Sequence, residues 1–141
     1  MSLIYWDTML FIYWLEANPS HVKQVEKIHN RMEERGDQLC TSVFTVGEVL
    51  TGTYKTAGTE EVKKIREYFE GPAVRLLPFN TDVADQYARI RVRWKVSPAD
   101  AIHLASAAVA GADLYISNDA SLKKLAIPGI SFIVGLDAAL L

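Results

Sequence analysis

Two rhythms of apolar and polar positions run through the chain. Short apolar stretches at Leu3–Trp6, Gln38–Ser42, Val74–Phe79, Leu114–Ser117 and Ile130–Val134 read as strands, most of them buried on both faces. Between them, apolar residues recur at helical spacing. Val22, Val25, Ile28 (or His29) and Met32 form one stripe within Ser20–Arg35, and Val83, Tyr87, Ile90 and Trp94 form another within Thr81–Trp94. Further helical segments are expected at Thr8–Leu15, Val43–Lys55, Thr59–Phe69 and Pro98–Ala110, with a helical turn at Ser121–Leu125. Ser20 is the expected N-cap of its helix and Gly36 the stop. Strands alternating with helices call for an open, mostly parallel sheet covered by helices on both faces. No linker, low-complexity tract or internal repeat breaks the pattern, so residues 1–141 are expected to fold as one domain.

Such sheets bind ligands beyond the carboxyl ends of their strands, where the strand order reverses. Asp7 ends the first strand and Asp119 follows the Leu114–Ser117 strand. Glu48 and Asp100 lie near the starts of helices. Each acid also has a structural reading. Asp7 and Asp119 suit the N-cap of the segment that follows. Thr45-x-x-Glu48 is a capping box by sequence, and Ser97-Pro98-Ala99-Asp100 combines an N-cap serine, an N1 proline and an acid in the first turn. Taken singly, each acid reads at least as well as a cap, and the case for function is joint. Carboxylates gathered on one sheet edge repel and raise one another's pKa, so a cluster calls for a cation. Oxygen ligands alone favour Mg²⁺, with Mn²⁺ as an alternative, and no histidine or cysteine has zinc-site spacing. A carboxylate-held hard cation suits phosphodiester hydrolysis.

The same residues carry a family resemblance. Asp7-Thr8 after an apolar strand, Thr45-Val46-Gly47-Glu48-Val49-Leu50, Pro98-Ala99-Asp100-Ala101-Ile102-His103-Leu104-Ala105, and Gly111 through Asp119 resemble, in order and spacing, the motifs of PIN-domain nucleases of the VapC toxin type. The resemblance covers nearly the whole chain. It implies a three-layer α/β/α sandwich and a Mg²⁺-dependent endoribonuclease, held inactive by a cognate antitoxin. Asp7, Glu48, Asp100 and Asp119 would be its catalytic and metal-holding acids, with Thr8 and Asn118 beside them to orient ligands or water. Met9 departs from the pattern, because the family often has a polar residue two positions after the first Asp.

Charge adds little. The net charge of −2 lacks the basic excess of many nucleic-acid binders, and leaves room for a local basic track. Lys123 and Lys124, close after Asp119, are the better candidates for RNA contact. Arg93 is the third, from an Arg89–Lys95 run of which at least half reads as solvated helix face. His103, bracketed by Ile102 and Leu104, reads as a packed, hydrogen-bonded histidine rather than a proton shuttle, and His21 and His29 read as surface residues. The aromatic N-terminal segment around Trp6, Phe11 and Trp14 reads as core with a homodimer contact. The single Cys40 reads as a core residue and fits a reducing compartment. The longest apolar run, Met9–Leu15, falls far short of the roughly 20 residues of a membrane span, so a cytoplasmic location is expected. Two other readings stand beside the nuclease: a non-catalytic binding module with this fold, and a different acid-site phosphohydrolase. The second is disfavoured because Met9 replaces the second Asp that the best-known phosphatase type needs.

Overall fold

The structure is a computed structural model that describes residues 1–137. Its elements follow in the order β1 (Leu3–Trp6), α1 (Thr8–Leu15), α2 (Val22–Arg35), β2 (Gln38–Ser42), α3 (Val43–Thr56), α4 (Thr59–Glu70), β3 (Arg75–Leu77), α5 (Thr81–Arg93), α6 (Pro98–Ala110), β4 (Leu114–Ile116), a 3₁₀ turn (Leu122–Lys124) and β5 (Phe132–Val134). The five strands form one parallel sheet in the order β3-β2-β1-β4-β5.

That order explains the three layers. From β1 the chain steps through β2 to β3 in one direction, then returns past β1 to add β4 and β5 on the other side. Right-handed crossovers send the connecting helices to one face in the first half and to the opposite face in the second. Accordingly α1–α4 pack on one face and α5 and α6 on the other. Side chains within each strand alternate between the two cores. Ile4 and Trp6 of β1, Leu39 of β2, and Leu114 and Ile116 of β4 enter the α1–α4 side, whereas Tyr5, Cys40 and Tyr115 enter the α5–α6 side. Ala101, Ala105 and Ala107 are fully buried, so the alanine-rich face of α6 lies close against the sheet and α5.

The strand ends differ from the sequence expectation for physical reasons. The third strand pairs only at Arg75–Leu77, because Pro78 has no N–H to continue a ladder. The last begins at Phe132, since Ile130 closes a turn onto the Ile127 carbonyl. Helix α2 is not capped by Ser20. The Asn18 side chain accepts the N–H groups of Ser20 (2.9 Å) and His21 (3.2 Å), holding a turn that delays the helix to Val22. His21 and His29 are half-buried rather than fully exposed: the His29 ring packs 4.3 Å from that of Trp14, and His21 lies 4.3 Å from Tyr13. The aromatic side chains of α1 reach across to α2 and cover both. Among the described residues no helix is long and apolar enough to cross a membrane.

Candidate functional site

The reversal of strand order falls between β1 and β4, which pair in register at Trp6 and Ile116. The Asp7 N–H continues that ladder by donating to the Ile116 carbonyl at 3.2 Å, so Asp7 sits on the seam where the two strands end. Its carboxylate caps α1, accepting the Met9 N–H at 3.1 Å. The capping reading of Asp7 is therefore correct, with Oδ1 as the capping oxygen. Burial pushes the Asp7 carboxyl above its ordinary value, against the opposing hydrogen bonds of the Ser117 hydroxyl and the Met9 amide.

Glu48 loses its capping reading. Helix α3 begins at Val43, capped by Ser42, whose Oγ accepts the Phe44 N–H at 3.0 Å. Thr45 and Glu48 thus lie inside the helix, and the Thr45 hydroxyl is spent on Thr41 at 2.7 Å. Glu48 Oε1 accepts from the Thr8 hydroxyl at 2.5 Å and lies 2.7 Å from His103 Nε2. Burial alone would raise the Glu48 carboxyl, but these two hydrogen bonds outweigh it and hold the group below its ordinary value.

Asp100 occupies the first turn of α6, with Pro98 at the helix start and Ser97 Oγ accepting the Asp100 N–H at 3.1 Å. The serine does the capping there, and no hydrogen bond engages the Asp100 carboxylate among the described residues. Tyr115 shows how these acids converge. Its buried hydroxyl is driven well above the ordinary value, first by burial and then by the charges of Tyr5, Asp7, Asp100 and Glu48. Asp7, Asp100 and Glu48 thus lie near enough to act electrostatically on this buried hydroxyl, which itself has no hydrogen-bond partner.

Asp119 stands further out. It is exposed, and its Oδ1 accepts both the N–H (2.9 Å) and the hydroxyl (2.7 Å) of Ser121, holding the turn after β4. Ser117 lies between it and Asp7: its Oγ accepts the Asp119 N–H at 3.0 Å, and its hydroxyl favours the ionised Asp7 carboxylate. Asn118 is tied to α1, its side-chain amide donating to the Tyr13 hydroxyl at 3.1 Å. Thr8 is buried and bonded to Glu48, while Met9 is 42% exposed on the first turn of α1. Lys123 lines a cleft with Ser117, Asn118 and Gly135, and Lys124 is exposed on the adjoining turn. Arg93 lies over the Trp94 ring, 4.7 Å from its centroid, and Arg89 is paired with Asp85 at 2.9 Å.

Among the described residues, no three His, Cys, Asp or Glu side chains stand close enough together to hold a metal ion between them. The donor chemistry nevertheless fits a hydrated hard cation. Mg²⁺ characteristically keeps several waters and takes one or two carboxylates plus substrate phosphate. Asp7, Glu48 and Asp100 offer oxygen only, and Glu48 Oε2 has no protein hydrogen bond among the described residues.

Sequence reasoning took Tyr5 only as part of the aromatic core and assigned no role to Ser117 or Tyr115. It placed His103 correctly as a packed, hydrogen-bonded group, without its bond to Glu48. The signal was present, since His103 lies three residues after Asp100 and so shares its helix face.

Residues 4–128 match the PIN domain family model, and the chain belongs to that family. Its fold is similar to that of VapBC2 from Rickettsia felis bound to a promoter DNA fragment, with a TM-score of 0.72 at 15% identity, covering 94% of this chain and 98% of the other. A toxin–antitoxin complex from Klebsiella pneumoniae is similar with a TM-score of 0.68 at 18% identity, covering 90% and 94%. Mycobacterium tuberculosis VapC20, a toxin that cleaves the sarcin-ricin loop, is similar with a TM-score of 0.67 at 19% identity, covering 87% and 96%. No curated protein sequence matches the chain.

Proposed function

We propose that this PIN-domain protein is a metal-dependent endoribonuclease, the toxin of a VapBC-type pair. The observation that carries the proposal is the placement of three acids from separate elements at the carboxyl edge of the sheet: Asp7 on the seam where β1 and β4 end, Glu48 held by Thr8 and His103, and Asp100 one turn before His103 on α6. Stability alone gives no reason to bring three acids together there. Family membership supports divalent-metal chemistry at this position, and the toxin–antitoxin proteins that share the fold support a cognate antitoxin as partner.

In this reading Asp7, Glu48 and Asp100 would hold a hydrated Mg²⁺ or Mn²⁺, in part through its waters, and Asp119 completes the acidic edge from beyond β4. A bound cation supplies neutralisation of phosphate charge and acidifies water. The chain's own residues do the rest. Thr8 fixes the Glu48 carboxylate, Ser117 fixes Asp7, and Tyr13 fixes the Asn118 amide at the mouth of the cleft. Lys123 and Lys124 meet the RNA backbone beside Asp119, with Arg93 as a third contact. The protein acts in the cytoplasm, where its RNA substrate lies, and pairs with a second copy of itself.

Incubating purified, partner-free protein with a mixed RNA pool tests the proposal. Cleavage with Mg²⁺ that a chelator abolishes is expected. Tight Mn²⁺ binding with no cleavage of any RNA would favour the non-catalytic binding module instead.

A further inference from the structure

The hydroxyl and imidazole groups behind Glu48 leave little freedom in where their protons go. Thr41 Oγ1 donates to the Trp6 carbonyl at 2.9 Å, so the 2.7 Å bond between Thr41 and Thr45 takes its proton from Thr45. The Thr8 hydroxyl gives its proton to Glu48 Oε1. The Tyr5 hydroxyl accepts the Ser42 N–H at 3.1 Å and lies 2.6 Å from His103 Nδ1. Of the close partners of that hydroxyl, the Ser42 N–H can only donate, so Nδ1 at 2.6 Å is the nearest acceptor for the tyrosine proton. An imidazole that accepts at Nδ1 carries its proton on Nε2. That Nε2–H faces Glu48 Oε1 at 2.7 Å, with Thr8 Oγ1 at 3.2 Å as a weaker second acceptor.

We infer that Tyr5 and His103 are positioning residues. A directional chain from Ser42 N–H through the Tyr5 hydroxyl to His103, whose Nε2–H meets Glu48, fixes Glu48 Oε1 and leaves Oε2 to face the ligand. Tyr5 is fully buried, stacked on Tyr115 with ring centroids 5.0 Å apart, and His103 is 4% exposed. Neither reaches a substrate, so both act through Glu48. Groups that orient a metal-ligating carboxylate from behind typically change metal affinity or activity by about 10–100-fold when removed. The inference rests on the proposed function in one respect: the carboxylate being aimed is one of the acids assigned there.

Two measurements test it. In wild-type protein, two-bond ¹H–¹⁵N correlation of the His103 ring at neutral pH should show a proton on Nε2 and none on Nδ1. A proton on Nδ1, alone or together with Nε2, would overturn the chain. Tyr5→Phe keeps the stacked ring and removes only the hydroxyl. It should weaken Mn²⁺ binding, read by titration calorimetry, by about 10–100-fold. His103→Gln keeps a donor for Glu48 without needing Tyr5, so adding Tyr5→Phe to it should cause no further loss. Independent, multiplying losses, or unchanged affinity in folded Tyr5→Phe, would overturn the positioning role. Wild-type protein that binds no Mn²⁺ would instead defeat the proposed function, and the inference would then stand or fall on the tautomer alone.

Discussion

Glu48 and His103, 55 residues apart in the chain, are joined by a 2.7 Å hydrogen bond between Oε1 and Nε2. The bond ties α3 on one face of the sheet to α6 on the other, at the edge where β1 ends. With the Thr8 hydroxyl on the same oxygen, it stabilises the ionised carboxylate, and this sets a pH dependence for the fold.

The folded-state pKa of Glu48 lies below its ordinary value, so its ionised form contributes stability above the unfolded-state range near about 4.3. That contribution is lost as pH falls through the lowered folded value. Glu48→Gln should therefore lower the neutral-pH melting temperature of the metal-free protein, and the gap to wild type should close on acidification. A gap that stays constant with pH would show that the carboxylate's charge contributes nothing.

Asp7 should behave in the opposite sense. Burial raises its folded-state value, so ionisation costs the metal-free fold stability as pH rises from the ordinary Asp range, about 3.9, through that raised value. Below that range the cost vanishes. Asp7→Asn keeps a good N-cap for α1. It should melt higher than wild type at neutral pH without metal and lose that advantage in acid. A lower melting temperature at neutral pH would show that the carboxylate is held for stability rather than for a ligand.

Much of this was legible in the sequence because the fold is written in local pattern. The five strands, the six helices and the parallel α/β class follow from apolar runs and helical stripes, and the rule that ligands sit at the reversal of strand order led to Asp7. The parts that were not legible depend on contacts between distant segments. Thr45-x-x-Glu48 has the spelling of a capping box, yet Ser42 starts the helix, and only the structure shows that Glu48 turns to His103. Tyr5 reads as an ordinary strand residue until Ser42 and His103 are seen on its hydroxyl. Asn18 displaced Ser20 as the organiser of the turn before α2 through two side-chain bonds that a propensity reading does not anticipate.

Gly129 anchors the lead-in to β5 against α6. Its φ is +101°, and a Cβ there would lie 2.5 Å from the Ala108 carbonyl oxygen. Gly129→Ala should destabilise the protein by about 1–3 kcal/mol in urea unfolding, combining backbone strain with a clash against helix backbone. Wild-type stability would mean that the loop can leave α6 without cost.

Lys123 lines the cleft beside Ser117 and Asn118. If it meets a phosphate, Lys123→Ala should weaken RNA binding and lower the slope of log affinity against log salt by about 0.7, the increment for one single-strand contact. An unchanged slope would remove Lys123 from the RNA path.

The most direct measurement is the rate at which wild-type protein and the Asp7→Asn and Asp100→Asn variants cleave RNA in Mg²⁺, each first shown to be folded by its melting transition. Cleavage by wild type that a chelator stops, and that falls by about 100-fold or more in each variant, is the expected result. Wild-type rates in either folded variant, or cleavage indifferent to the chelator, would contradict a nuclease built on these carboxylates.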